Sequence, residues 1–266
     1  MPLSEIDYID LPNGRTITVC AHHHLVTCGM CCLDFSDDNA DVLHGQDFFY
    51  QTIVTNPRPE TTMVFPSKFS QQGMTPLSPE ELFPGINIAL QSILSKRFIN
   101  RYNDSEFLIY TDGACSDNGA ADARGGCAFV FKPNGLNGQS GSYRHTSNRA
   151  ELRAVIAALR FRAWHDEGFR SVVIATDSSY VVDGATSWTR NWARNDCRLS
   201  TGDLVKNRDL WEALLLDVEE LRDCGVSVRF WKIPRQQNTL ADREAKRAAS
   251  AMESTEKFRN IKGNFV

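Results

Sequence analysis

From Glu106 onward the apolar positions of the chain fall into regular periods. FLIYTD (107–112) and CAFVFK (127–132) are short, apolar and partly β-branched or aromatic, with DNG and PNG turns after them, which predicts strands. AELRAVIAALRFRAW (150–164) sets Leu152, Val155, Ile156 and Leu159 at i, i+3, i+4 and i+7, one face of a helix. VVIATD (172–177) has the continuous apolar character of a buried strand. VKNRDLWEALLLDVEELRDCG (205–225) predicts a long helix stopped at Gly225. VSVRFWKIP (226–234) alternates as a strand up to Pro234, and TLADREAKRAASAM (239–252) predicts a last, alanine-rich helix capped by Asn238 or Thr239. Three strands, helix, strand, helices, strand and helix make a mixed α/β layer fold over residues 105–252, with 253–266 as a tail.

Upstream the periods fail. Between Asn56 and Gly85 lie Pro57, Pro59, Pro66, Pro76, Pro79 and Pro84, six of the ten prolines. Each removes a backbone donor and restricts the residue before it. Residues 56–104 therefore read as a connector, extended or laid against a folded surface through Phe65, Phe69, Leu82 and Phe83. Residues 1–55 form a small Cys/His segment.

Composition narrows the class. The 266 residues are 42% hydrophobic and 23% charged, ordinary for a soluble globular protein. No apolar run approaches the roughly 18 residues of a membrane span, so no membrane partner is expected. The opening MPLSEIDYID carries acids where a leader needs basic and apolar residues, and the expectation is an intracellular protein of nucleus or cytoplasm. Cys115, Cys127, Cys197 and Cys224 are scattered, as reduced core cysteines are. Residues 1–104 hold 12 acids against 6 Lys and Arg, while residues 105–266 hold 21 against 23. The net charge of −4 thus conceals a second part suited to an anionic partner.

The candidate chemistry lies in four acids. Asp112 and Asp177 each stand where an apolar strand stops, the place where open α/β sheets collect ligands. Glu151 and Asp242 each fall in the first turns of a predicted helix. Singly, such acids are turn formers, caps or favourable dipole partners. Together, with no histidine or thiolate among them, they suit Mg2+ or Mn2+, and two such ions can bind both the attacking and the leaving oxygen of a phosphoryl displacement.

YTDGACSDNG, TSNRAELRAVIAAL, ATDSSYVVDGATSW, GDLVKNRDLWEAL and NTLADREAKRAA, in that order from about Phe107 to Ser250, resemble the motifs of the type 1 ribonuclease H family. The resemblance implies a five-stranded mixed sheet flanked by helices. It implies an endonuclease that cuts the RNA strand of an RNA–DNA hybrid with two Mg2+ ions at Asp112, Glu151, Asp177 and Asp242, leaving a 5'-phosphate and a 3'-hydroxyl. It also implies that Arg144, Thr146 and Asn207 bind a phosphate of the DNA strand, and that Asn118, Ser147 and Asn148 straddle the two strands. Trp188 and Trp192, with Ser200 nearby, would form the channel for the DNA sugars; Arg190, Arg194 and Arg198 are interleaved with them.

One departure stands out. The family's common form carries a histidine in a Gly-His loop before the last aspartate, whereas IPRQQNTLAD here is shorter and has none. Arg235, Gln236 or Gln237 can contact phosphate in its place, but none shuttles protons near neutral pH. Retained activity is expected, with a hybrid-binding adaptor of weak or no turnover as the alternative.

In the front segment, Cys20, His23, Cys28 and Cys31 form a C-x2-H-x4-C-x2-C string that predicts a structural Zn2+ site, with His22, His24 and Cys32 as substitutes. Similar strings precede such domains in some fungal proteins. The acidic front has none of the basic, aromatic character of a hybrid-binding module, so a protein-binding role is expected.

Overall fold

The computed structural model describes residues 6–10, 16–21, 27–28, 33–34, 63–71, 76–90, 93–116, 124–133, 138–140, 146–195 and 197–250. The chain divides into two compact units, Met1–Met63 and Val64–Val266. In the first, β1 (Ile6–Asp10) pairs antiparallel with β2 (Thr16–Cys20), and β3 (Thr27–Cys28) with β4 (Leu33–Asp34). Cys20 ends β2 and Cys28 ends β3; His23 and Cys31 of the expected zinc string lie outside the described residues.

The second unit is built on β8 (Asn103–Ser116), a 14-residue strand. One edge of β8 pairs in parallel with β11 (Ser171–Thr176), Ser171 opposite Glu106 and Ala175 opposite Tyr110. Its other edge is shared: the start pairs antiparallel with β7 (Ile93–Asn100) and the end with β9 (Arg124–Val130). β10 (Gly138–Ser140) extends β9, and β12 (Ser227–Lys232) lies parallel to β11.

β8, β9, β11 and β12 are the strands read from the sequence, and β10 brings them to the five expected. The sheet has eight among the described residues, and the other three come from the stretch read as a connector. They are β5 (Ser67–Lys68), parallel to the outer side of β12, and the hairpin of β6 (Gly85–Leu90) with β7. A buried arginine hid β7 from a reading based on apolar alternation. Arg97 is fully buried, and its guanidinium makes two 2.7 Å hydrogen bonds to Glu167 while lying 5.0 Å from the centre of the Phe131 ring. Breaking a buried pair of this kind by removing one partner costs about 3–5 kcal/mol.

Alternation along β8 and β11 supplies two cores. Phe107, Ile109, Val172 and Ile174 face one side with α2 (Ser147–Arg160) and α5 (Arg208–Asp223), whose Leu152, Val155, Ile156, Leu214 and Val218 join the same cluster. Leu108, Tyr110, Val173 and Ala175 face the other, where α6 (Thr239–Ala249) covers part of the surface through Ala241. The rest is covered by Phe69, Phe83 and Leu82, the last from the short α1 (Pro79–Leu82), which starts with a Ser78–Glu81 capping box. Three of the connector anchors, Phe69, Leu82 and Phe83, are thus core residues of the second unit.

Helix ends follow the sequence at α5 and depart from it at α2. α5 stops where expected: Gly225 has φ +79 and its N–H donates to the Arg222 carbonyl at 2.8 Å. α2 ends at Arg160, short of the predicted Trp164, and a 3-10 turn follows over Trp164–Glu167. Among the described residues no helix is long and apolar enough to cross a membrane.

Candidate active site

The parallel pairing of β8 with β11 sets Asp112 and Asp177 side by side, each two residues past the last registered pair, Tyr110 with Ala175. Glu151 is brought to them by a close approach. A Cβ on Gly113 would stand 2.2 Å from the Glu151 backbone nitrogen and 2.3 Å from the Ala150 carbonyl carbon, so only glycine lets α2 lie directly on the strand. Asp112, Glu151 and Asp177 each present an oxygen, and the three lie within 4.8 Å of one another.

Crowding shows in their protonation. Burial first, then the charges of Asp177 and Asp242, pushes the Asp112 carboxyl from 3.8 up to about 7. Burial and the charges of Asp112 and Asp177 raise Glu151 well above the ordinary glutamate value, against a backbone hydrogen bond from Gly113. Glu151 Oε2 is buried with no hydrogen-bond partner. An all-oxygen donor set with a spare buried oxygen fits a hard divalent cation.

Asp242 stands beside this trio but outside it. It lies in the first turn of α6, yet both its oxygens are engaged: Oδ1 accepts from Arg235 Nη2 at 3.0 Å and Oδ2 from Lys246 Nζ at 2.6 Å. Burial works to raise its carboxyl, but the hydrogen bonds from Lys246 and Arg235 outweigh that and hold it below the usual range. The four expected acids are therefore one trio and one cation-bound neighbour. Arg235, in the 3-10 turn Arg235–Gln237, occupies the short loop that lacks the histidine.

Asn238 was expected as a cap of α6 and holds that position, but its side chain makes no capping bond. Its amide is fully buried and donates instead to Asp177 Oδ1 and to the Thr111 carbonyl. Lys232, on β12, donates to the Asp177 carbonyl at 2.6 Å. Neither contact has a signal in the spacing of the chain.

The expected substrate residues sit around the amino ends of α2 and α5. Thr146 caps α2, its hydroxyl accepting from the Arg149 N–H, and Asn207 holds the cap position of α5 with a left-handed φ of 59 and no side-chain capping bond. Arg149 ties the two helix ends together, through two hydrogen bonds to Asp209 at 2.9 and 2.5 Å and one to Asn207 Oδ1 at 3.3 Å. Asn207 Nδ2 donates to the Tyr180 hydroxyl at 3.0 Å. Arg149, Asp209 and Tyr180 are absent from the sequence reading; only the fold shows that they orient the pair. Ser147 is half-buried and Asn148 exposed on the first turn of α2. Arg144 and Asn118 lie outside the described residues.

Three consecutive helical pieces carry the tryptophans: α3 (Ser179–Asp183), a π-helical turn (Gly184–Trp188) and α4 (Thr189–Ala193). Trp188 is 37% exposed and its ring centre lies 5.8 Å from that of Trp192, which packs against the core and against Trp211. Ser200 is exposed in the turn that follows.

A family profile described as RNase H matches residues 103–250. A ribonuclease H of Neorickettsia sennetsu is 42% identical over 112 residues, 41% of this chain and 70% of that protein. One from Actinobacillus succinogenes is 41% identical over 108 residues, 40% of this chain and 66% of that protein. Ribonuclease H1 of Mus musculus is 32% identical over 152 residues, 56% of this chain and 50% of that protein.

Proposed function

The chain belongs to the ribonuclease H family, and on that premise we propose that its acidic cleft hydrolyses the RNA strand of RNA–DNA hybrids, leaving 5'-phosphate and 3'-hydroxyl ends. The observation that carries the reading is the convergence of Asp112, Glu151 and Asp177 to within 4.8 Å just beyond the point where the parallel pairing of β8 with β11 ends. These three, with Asp242, would hold Mg2+, or Mn2+ in its place. When bound, two such ions neutralise charge on the attacking and departing oxygens.

The chain's own residues prepare that site. Asp112 and Glu151 are held toward their protonated forms by burial and by the charges of neighbouring aspartates, so cation binding is coupled to proton release. Thr146 and Asn207, braced by Arg149 and Tyr180, offer donors to a DNA phosphate together with Arg144. Ser147, Asn148 and Asn118 meet the minor groove, where Glu151 senses the 2'-hydroxyl that separates RNA from DNA. The exposed Trp188 supports a deoxyribose from below, backed by the half-buried Trp192, with Ser200 at the rim. Arg235 keeps a permanent charge where the family's common form has a titrating histidine, and it serves phosphate contact without proton transfer.

The test is incubation of labelled RNA–DNA hybrid, duplex RNA and duplex DNA with the protein in Mg2+ or Mn2+, beside Asp177→Asn. Hybrid-only cleavage, lost in the variant, is expected. Tight hybrid binding with no cleavage in either metal overturns the reading and leaves a hybrid-binding adaptor. A zinc ion at Cys20, His23, Cys28 and Cys31 rests on their spacing alone; a Cys28→Ser, Cys31→Ser protein should lose one equivalent of zinc, and an unchanged content removes it.

A further inference from the structure

Asn238 connects three of the four acids without being one of them. Its backbone carbonyl accepts from the Asp242 N–H at 3.0 Å, which anchors the start of α6. Its Nδ2 donates to Asp177 Oδ1 at 2.9 Å and to the carbonyl of Thr111, the residue before Asp112, at 3.0 Å. Both neighbours of that nitrogen are acceptors only, so the amide has one workable orientation: turned over, it would set oxygen against a carbonyl and a carboxylate.

That orientation leaves Asn238 Oδ1 buried with no partner. A residue selected for stability alone would satisfy it, or would cap α6, the position it already occupies. Here the amide forgoes the capping bond and fixes a carboxylate instead. With Oδ1 of Asp177 held from one side and its backbone carbonyl held by Lys232, rotation of the carboxylate is restricted and the direction of Oδ2 is set. We infer that Asn238 is a positioning residue of the site, presenting Asp177 to the cation in register with Asp112 and Glu151. This inference rests on the cation-dependent function proposed above.

The test uses the full chain and two readouts, the rise in Tm on adding Mg2+ and the kinetics on RNA–DNA hybrid. In Asn238→Ala, kcat is expected to fall about tenfold or more, as for other groups that orient metal ligands. KM for the hybrid should stay within about twofold, since the lost contact does not touch substrate. The Mg2+-induced rise in Tm should shrink, whereas a merely structural role would lower the metal-free Tm and leave that rise intact. A full Mg2+-induced rise together with kcat within about twofold of wild type overturns the inference. If Asn238→Ala does not fold, Asn238→Ser, which keeps one donor, decides by the same measures. A wild-type protein that gains stability from Mg2+ but never cleaves hybrid defeats the proposed function; the variant's Mg2+ response still decides the role of Asn238.

Discussion

The two sides of the acidic cleft handle negative charge in opposite ways. On the sheet side, Asp112 is 5% exposed and Glu151 has a buried oxygen without a partner, so charge there is opposed by burial and by neighbouring acids. On the α6 side, Asp242 is met by Arg235 and Lys246 and stays readily ionised. One side is completed only by an added cation; the other carries its own. The lesson is that four acids in one cleft need not be equivalent ligands. The trio is where a cation would relieve the most repulsion, and on the function proposed above Asp242 would have to exchange a protein cation for a bound one.

The largest effect expected from this contrast is at Asp112. Asp112→Asn should lower kcat by about 100-fold or more, the scale seen when one preorganised electrostatic group is removed. At pH 8, where Asp112 is ionised, the same change should raise the Tm of the metal-free protein, because an amide ends the repulsion. A falling metal-free Tm in calorimetry would break the comparison.

Next comes pH. The folded-state value of Asp112, about 7, lies above its ordinary 3.8, so below pH 7 a cation must displace a proton. Mg2+ affinity measured by titration calorimetry should climb by up to about tenfold per pH unit toward 7 and level above it. The raised value also means that the metal-free fold loses stability as pH rises from about 4, with the loss complete above 7. A flat affinity between pH 5.5 and 7 would place the displaced proton elsewhere.

Asp242 should respond less. Asp242→Asn is expected to reduce kcat by about tenfold, with metal-free stability changed by no more than about 1 kcal/mol, since its cation partners are largely solvated. Smallest of all, Arg235→Ala should lower the Mg2+ concentration for half-maximal activity by no more than about fivefold, by removing a competitor for Asp242. A higher Mg2+ requirement in that variant would show that the arginine assists the ion.

Much of this site is readable along the chain. The acids end apolar runs or open helices, and the periods of α2, α5 and α6 are clear because each helix buries one face against a single sheet. What cannot be read is whatever depends on a partner distant in sequence. β7 escaped because Arg97, paired with Glu167 seventy positions away, breaks its apolar alternation. Asn238 looks like any helix cap until Thr111, midway along β8, and Asp177, just past β11, supply two acceptors. The brace from Arg149 to Asp209 joins two helix starts sixty positions apart, whereas of the two cations on Asp242 only Arg235 depends on the short loop, Lys246 standing one helical turn along α6 at i+4.

A two-residue strand has a consequence out of proportion to its size. Without β5, β12 would be the open edge of the sheet, displaying unpaired N–H and C=O groups along SVRFWK. Ser67 and Lys68 lie against Arg229 and Phe230, and the Phe69 N–H donates to the Phe230 carbonyl at 2.7 Å. Lys68, 62% exposed, adds a solvated charge at that border. The segment therefore covers two positions of an edge that would otherwise be open to a strand of another molecule.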